Sequence, residues 1–167
     1  IWLSESMEPP FICENRAHGI TCLSDSEIFQ AFDISYEYDI YFDYAAYLTG
    51  TGSLSSYTEQ INRQEGIYPD NYVKLRLLEN HDRMRAAAMI PDDRALRNWT
   101  AFLYFQKGMT LLYNGQEYAD ENRPDLFDRE PIDLHTGRNL TPLMQKLYQI
   151  KKDPLFTDSS YHTEAPG

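Results

Sequence analysis

Three short stretches of this chain end in groups that could do acid–base work. Glu5 closes the apolar run Ile1-Trp2-Leu3-Ser4, and Asn80-His81-Asp82 follows the run from Tyr72 to Leu78. Glu117 lies just past Met109-Thr110-Leu111-Leu112-Tyr113. Two carboxylates and an imidazole on one rim suit the cleavage of an acetal. That reaction needs a proton donor at the leaving oxygen and negative charge beside an oxocarbenium-like centre. Taken singly, Glu5 serves equally well as a strand-end salt-bridge partner and the Asn-His-Asp triplet as a loop cap. Glu117 could simply accept amides of its own loop. Their joint placement after apolar segments favours the chemical reading.

The elements that must hold these groups follow from the pattern around them. Ser24-Asp25-Ser26-Glu27 is a capping box that predicts a short helix near 25–32. Alternation and strand-forming residues predict a strand around 34–38, and Asp39 to Leu48 reads as a helix stopping near Gly50. Leu54, Tyr57, Thr58 and Ile61 fall at helical spacing, giving a helix over 54–65 that closes at Gly66. Asp92 and Asp93 suit a helix N-terminus, with Leu96, Trp99, Phe102 and Leu103 as its apolar face and Gly108 as its stop. A polar connection spans 114–140. Thr141 is then expected to cap a last helix with Pro142 at its first position, lined by Leu143, Leu147 and Ile150.

Strands therefore start near 1, 34, 73 and 109, with helices between them. This is an α/β chain of parallel strands alternating with helices. Four such units make half of a (β/α)8 TIM barrel, a fold that typically needs about 250 residues and carries its catalytic groups at the C-terminal strand ends. No GxGxxG or GKS/T phosphate loop follows any strand, which weakens a nucleotide-binding reading.

Composition narrows the partners. The 167 residues carry 26 acidic and 15 basic side chains, a net charge of -11, which argues against nucleic acid or an anionic membrane surface. No apolar run approaches the roughly 20 residues of a membrane span. Hydrophobic residues reach 42%, enough for a core, and aromatic residues 14%, serving either core packing or flat platforms for sugar faces. Cys13 and Cys22 are expected as reduced thiols, and no metal knuckle or other cofactor motif is present.

The motifs resemble those of one family. Leu77-Leu78-Glu79-Asn80-His81-Asp82-Arg83-Met84-Arg85 is similar to the seventh-strand motif of the α-amylase family of glycoside hydrolases. Trp2-Leu3-Ser4-Glu5 resembles the fifth-strand motif, and Gly108 to Glu117 the eighth. Leu126 to Ile132 fits the loop after that strand. The resemblance runs through nearly the whole chain in the family's order. It implies that Glu5 is the general acid/base and Asp82 the carboxylate that grips ring hydroxyls and stabilises the transition state. It implies substrate-binding places for His81, Asn80, Arg85 and Tyr113, with a rim salt bridge as an equal alternative for Arg85. Core or loop packing is the alternative for Tyr113 and Tyr118.

The same resemblance implies a nucleophilic aspartate on a fourth strand, inside Arg-x-Asp, ahead of Glu5. Here Arg-x-Asp occurs only at Arg123-Pro124-Asp125, in the loop after the last strand, where it is not that nucleophile. The expectation is a fragment, with residues 1–152 as the C-terminal half of a catalytic barrel and 153–167 as a tail. The parent would be a retaining hydrolase or transglycosidase acting on α-linked glucosides, and the chain alone would be inactive. The alternative is a non-catalytic α-amylase-like binding or interaction subunit. The expected partners are an oligosaccharide or polysaccharide and the N-terminal half of the barrel, with no metal or cofactor. Localisation is open, with unpaired cysteines leaning towards the cytoplasm.

Overall fold

The computed structural model describes residues 1–123 and 125–166. Pro124, the centre of the Arg-Pro-Asp triplet, and Gly167 lie outside the described residues. Four strands, β1 (Leu3–Ser4), β2 (Ile34–Tyr36), β3 (Val73–Arg76) and β4 (Met109–Thr110), form one sheet in the order β1-β2-β3-β4. β1 runs parallel to β2, with Ser4 opposite Ser35, and β2 runs parallel to β3, with Ser35 opposite Lys74. Sequential, parallel neighbours separated by helices are what repeated βα units build. β2 is shorter than the sequence suggests because Glu37–Asp39 turn into a 3-10 helix. At Gly108 (φ +109°) the backbone passes so close to β3 that a Cβ would stand 2.4 Å from the Lys74 carbonyl oxygen, and only glycine fits.

The chain divides into two compact units. The first comprises Ile1–Leu75, Lys107–Met109 and Ser160–Gly167. Its helices are α1 (Pro9–Ala17), α2 (Asp25–Ile28), α3 (Tyr41–Leu48) and α4 (Leu54–Ile67). α1 is an addition to the sequence reading. Its two prolines stand at the start, where a missing N–H costs nothing. Ser24 and Glu27 form the expected capping box, with the Glu27 carboxylate accepting the Ser24 N–H at 2.7 Å. α4 is capped by Ser53, which accepts the Ser56 N–H at 3.0 Å, and it runs through Gly66 rather than ending there. α3 packs on α4 through Tyr41, Tyr44 and Tyr57, whose rings meet at 5.6 and 5.8 Å. Ile61 is fully buried, which contributes about 1.5–3 kcal/mol for a side chain of its size. Thr163 in the expected loose tail is tied to Asn62 by bonds of 2.7 and 2.8 Å.

A buried charge cluster sits in the same unit. Lys74 on β3 is fully buried, and its ammonium pairs with Asp25 and, at 2.9 Å, with Asp39. The Asp39 carboxylate also accepts from the Tyr68 hydroxyl at 2.7 Å and the Gln64 amide at 2.8 Å. Burial pushes the Asp25 carboxyl up from its ordinary value against the pull of Lys74. For Asp39 burial also raises, but Lys74, Tyr68 and Gln64 outweigh it and hold the group below the ordinary value.

The second unit comprises Arg76–Gln106 and Thr110–Ser159. Its helices are α5 (Ala86–Met89), α6 (Asp93–Phe105), α7 (Thr141–Lys151) and α8 (Leu155–Asp158). Asp92 caps α6 by accepting the Ala95 N–H at 2.7 Å. Leu96, Thr100 and Leu103 recur at helical spacing on its buried face, while Trp99 and Phe102 are partly exposed and meet edge to face. α7 is rotated from the expected face. Met144 and Leu147 are buried with Leu140, whereas Ile150 is exposed. The side chain of Asn139, not that of Thr141, satisfies the first N–H of α7 at 2.8 Å. Lys151 donates to the carbonyls of Tyr104 at 3.0 Å and Gln106 at 2.5 Å, closing the end of α6 instead of its own helix.

Candidate active site

In the first unit, Glu5 directly follows β1. Ser4 and Ser6 on either side are buried, and the Ser6 hydroxyl donates to the Tyr36 carbonyl at 3.2 Å. Successive residues of an extended chain point to opposite sides, so anchoring Ser4 and Ser6 turns Glu5 outward. It is exposed, as a proton donor to a bound molecule must be.

In the second unit, the segment after β3 carries the other candidates. Leu77, Leu78, Glu79 and Asn80 are all buried, and the chain becomes accessible at His81 and Asp82. Asn80 Oδ1 accepts the Asp82 N–H at 3.0 Å, a local turn that fixes the direction in which Asp82 leaves the strand. His81 Nε2 stands 3.3 Å from Asp82 Oδ1. The structure thus sets His81 and Asp82 at the surface on a buried root that includes Asn80. Asn80 is 1% exposed, and its side-chain oxygen is turned to the Asp82 backbone.

Arg85 is also fully buried. Its guanidinium pairs with Glu79 at 2.7 Å and Asp120 at 3.4 Å. It donates to the carbonyls of Asn114 and Asn122, each at 2.9 Å, and lies 4.7 Å over the Tyr113 ring. Glu79 uses its second oxygen for the Ala86 N–H at 2.7 Å, at the start of α5. Burial raises the Glu79 carboxyl above its ordinary value, opposed by Arg85 and the Ala86 amide. Asp120 accepts the N–H groups of Asn122 at 3.0 Å and Asp133 at 3.2 Å. Glu79 and Asp120 were not singled out in the sequence. Glu79 is adjacent to the Asn-His-Asp triplet, but nothing in the sequence marks Asp120.

Tyr113 and Glu117 belong to a different part of this unit. With Tyr104, Leu112, Asn114 and Met144 they line a groove of about 500 Å³, and its lining includes neither His81 nor Asp82. Glu117 accepts the Gly115 N–H at 3.0 Å, which is the loop-holding role open to it from the sequence. Gly115 has φ +92°, and a Cβ there would stand 2.5 Å from Ile132 Cγ2, so this turn requires glycine.

A parallel sheet in sequential strand order with helices between the strands defines a class of fold: part of a (β/α)8 barrel. No protein-family model matches the chain. It superposes on the crystal structure of an alpha-amylase from Lactobacillus plantarum with a TM-score of 0.87 and 43% identity, covering 93% of this chain and 37% of that one. A noncanonic maltogenic alpha-amylase from Thermotoga neapolitana matches with a TM-score of 0.73 and 36% identity, covering 81% and 33%. Alpha-amylase 1 of Schwanniomyces occidentalis is 28% identical over 130 residues, 75% of this chain and 25% of that protein. Over the stretch so aligned, the chain belongs to the α-amylase family of glycoside hydrolases. It spans about a quarter of the length of the curated relatives it matches first.

Proposed function

We propose that this chain is the C-terminal half of a retaining barrel that cleaves or transfers α-linked glucose units. Glu5 is the general acid/base and Asp82 the carboxylate that stabilises the oxocarbenium-like transition state. His81 hydrogen-bonds the same sugar ring, and Asn80 holds the turn from which both project. The observation that carries this reading is the match to an alpha-amylase at 43% identity across 93% of the chain. The exposure of Glu5, His81 and Asp82 beside buried anchors supports it.

A retaining reaction needs a nucleophile about 5–5.5 Å from the acid/base. These 167 residues supply no strand-four aspartate, so the chain by itself forms no glycosyl intermediate. Its partner is the N-terminal half of the barrel, contributing that aspartate. The substrate is an α-linked oligosaccharide or polysaccharide.

The test is hydrolysis of a maltooligosaccharide by the chain alone and by the chain joined to an N-terminal half. The chain alone should be inactive. The joined protein should be active and should lose on the order of 10³-fold or more with Glu5→Gln or Asp82→Asn, as expected when a group of the catalytic unit is removed. Activity of the isolated chain that vanished with Glu5→Gln would overturn the need for the second half. Activity of the joined protein indifferent to both substitutions would overturn the assignment of the site.

A further inference from the structure

We infer that Arg85 is a positioning residue, the buried post that holds the Asn80-His81-Asp82 segment and the loop after β4 in one arrangement. The inference rests on the reading of Asp82 and His81 given above. It departs from a substrate-binding role for Arg85, because a side chain with no exposed surface has no face to offer a sugar.

The geometry is that of a clamp. On one side Arg85 grips Glu79 at 2.7 Å, the residue immediately before Asn80. On the other it reaches the Asn114 and Asn122 carbonyls, each at 2.9 Å, and Asp120 at 3.4 Å. These four acceptors come from two segments more than 30 residues apart in sequence. Glu79 is bound on both oxygens, by Arg85 and by the Ala86 N–H, so it cannot rotate without breaking one bond. Asp120 is likewise shared between Arg85 and the Asn122 and Asp133 amides. The aromatic face of Tyr113 closes the remaining side at 4.7 Å.

A guanidinium is suited to this post. Its planar fork presents five donors in fixed directions, whereas an ammonium is a compact point charge with three donors, fewer than the four acceptors met here. The chain from Glu79 to Asp82 is short, so a shift at Glu79 is passed to Asp82 with little slack. Misplacement by about 1 Å at a catalytic carboxylate is enough to cost roughly 100-fold in rate.

The experiment uses Arg85→Lys, Arg85→Met and Asp120→Asn, with two readouts. The first is amide hydrogen exchange of the chain by NMR. Arg85→Lys should raise exchange at Asp82 and Asn122 by about tenfold or more while leaving Leu96 to Leu103 of α6 unchanged, because a local opening has been made cheaper rather than the whole fold. The second is steady-state hydrolysis by the barrel completed with an N-terminal half. Arg85→Lys should lower kcat by about 10- to 100-fold with KM within about twofold, since the loss falls on transition-state alignment. Asp120→Asn, which sets an amide NH2 against at least one of the N–H groups that Asp120 accepts, should raise exchange at Asn122 and lower kcat in the same direction as Arg85→Lys. Should Arg85→Met fail to fold, the lysine and asparagine variants still decide. A lowered Tm with unchanged loop exchange and unchanged kcat would overturn the inference, as would a raised KM at constant kcat, the mark of direct substrate binding. If activity ignores Glu5 and Asp82, the catalytic reading fails while the exchange result still judges the clamp.

Discussion

Replacing Lys74 by methionine should destabilise the protein by about 3–5 kcal/mol at neutral pH, the usual cost of stripping one partner from a buried ion pair. The structure says why the figure belongs at this site. One fully buried ammonium serves two carboxylates, Asp25 and Asp39, themselves almost wholly enclosed. With both ionised the cluster carries one negative charge; without Lys74 it carries two, desolvated and side by side. Methionine fills much of the same volume, so the loss is electrostatic rather than a cavity. The sign of the pH dependence follows. In Lys74→Met the folded pKa of at least one carboxyl lies well above the unfolded value near 3.9. The folded state then binds a proton that the unfolded state does not, and its stability rises as pH falls, by up to about 1.4 kcal/mol per pH unit. Urea unfolding followed by circular dichroism at pH 7 and pH 5 should show the gap to the parent narrowing by about 1–2.5 kcal/mol. Asp25→Asn, which leaves Lys74 balanced against Asp39 alone, should cost much less than Lys74→Met at pH 7. A gap that stays constant or widens at pH 5, or an Asp25→Asn variant weaker than Lys74→Met, would refute the reasoning.

Two further outcomes concern the second unit. Gly115→Ala should cost about 2–3 kcal/mol, combining a positive φ with a Cβ 2.5 Å from Ile132 Cγ2, and adding Ile132→Ala should relieve the clash but not the backbone strain, so the pair is non-additive in a double-mutant cycle. Burial, aided by the Arg76 charge, lowers Lys151 to about 8, so the folded state gives up this proton before the unfolded state does. Relative to Lys151→Gln, the parent should therefore gain roughly 1 kcal/mol between pH 8 and pH 10.5, once solvent screening of a half-buried ammonium is allowed for. A thermal unfolding series in which the two proteins run parallel across that window would contradict it.

The strand-and-helix order was legible because it depends on local patterns. Ser24 with Glu27, Asp92 and the apolar spacing of Leu96 and Leu103 each act over a few residues, and each recurs in the fold. The candidate Asn80-His81-Asp82 was legible because a buried run, Leu77 to Glu79, leads straight into it. What escaped was set by distance in sequence. Nothing near Lys74 announces that it will be buried; the residues that make burial tolerable are Asp25 and Asp39, 49 and 35 positions earlier. The face of α7 was misjudged because Leu143, Leu147 and Ile150 fit helical spacing as well as Leu140, Met144 and Leu147 do, and packing on α6 chose between them.

Lys74 and Arg85 answer the same problem in different chemistry. Each is a buried cation facing two carboxylates, and each leaves one negative charge in excess when all are ionised. Such clusters contribute little net stability, because desolvation consumes most of the attraction, and apolar residues of similar volume could replace them with little loss. What they supply is direction. Lys74 joins the start of α2 to the turn after β2, and its flexible ammonium suffices because both partners approach as carboxylates. Arg85 must also satisfy two backbone carbonyls and a ring face in fixed planes, which is why a fork stands there. Exchanging the two cations should therefore be asymmetric. Lys74→Arg should fail mainly by overpacking, whereas Arg85→Lys should fold and lose alignment.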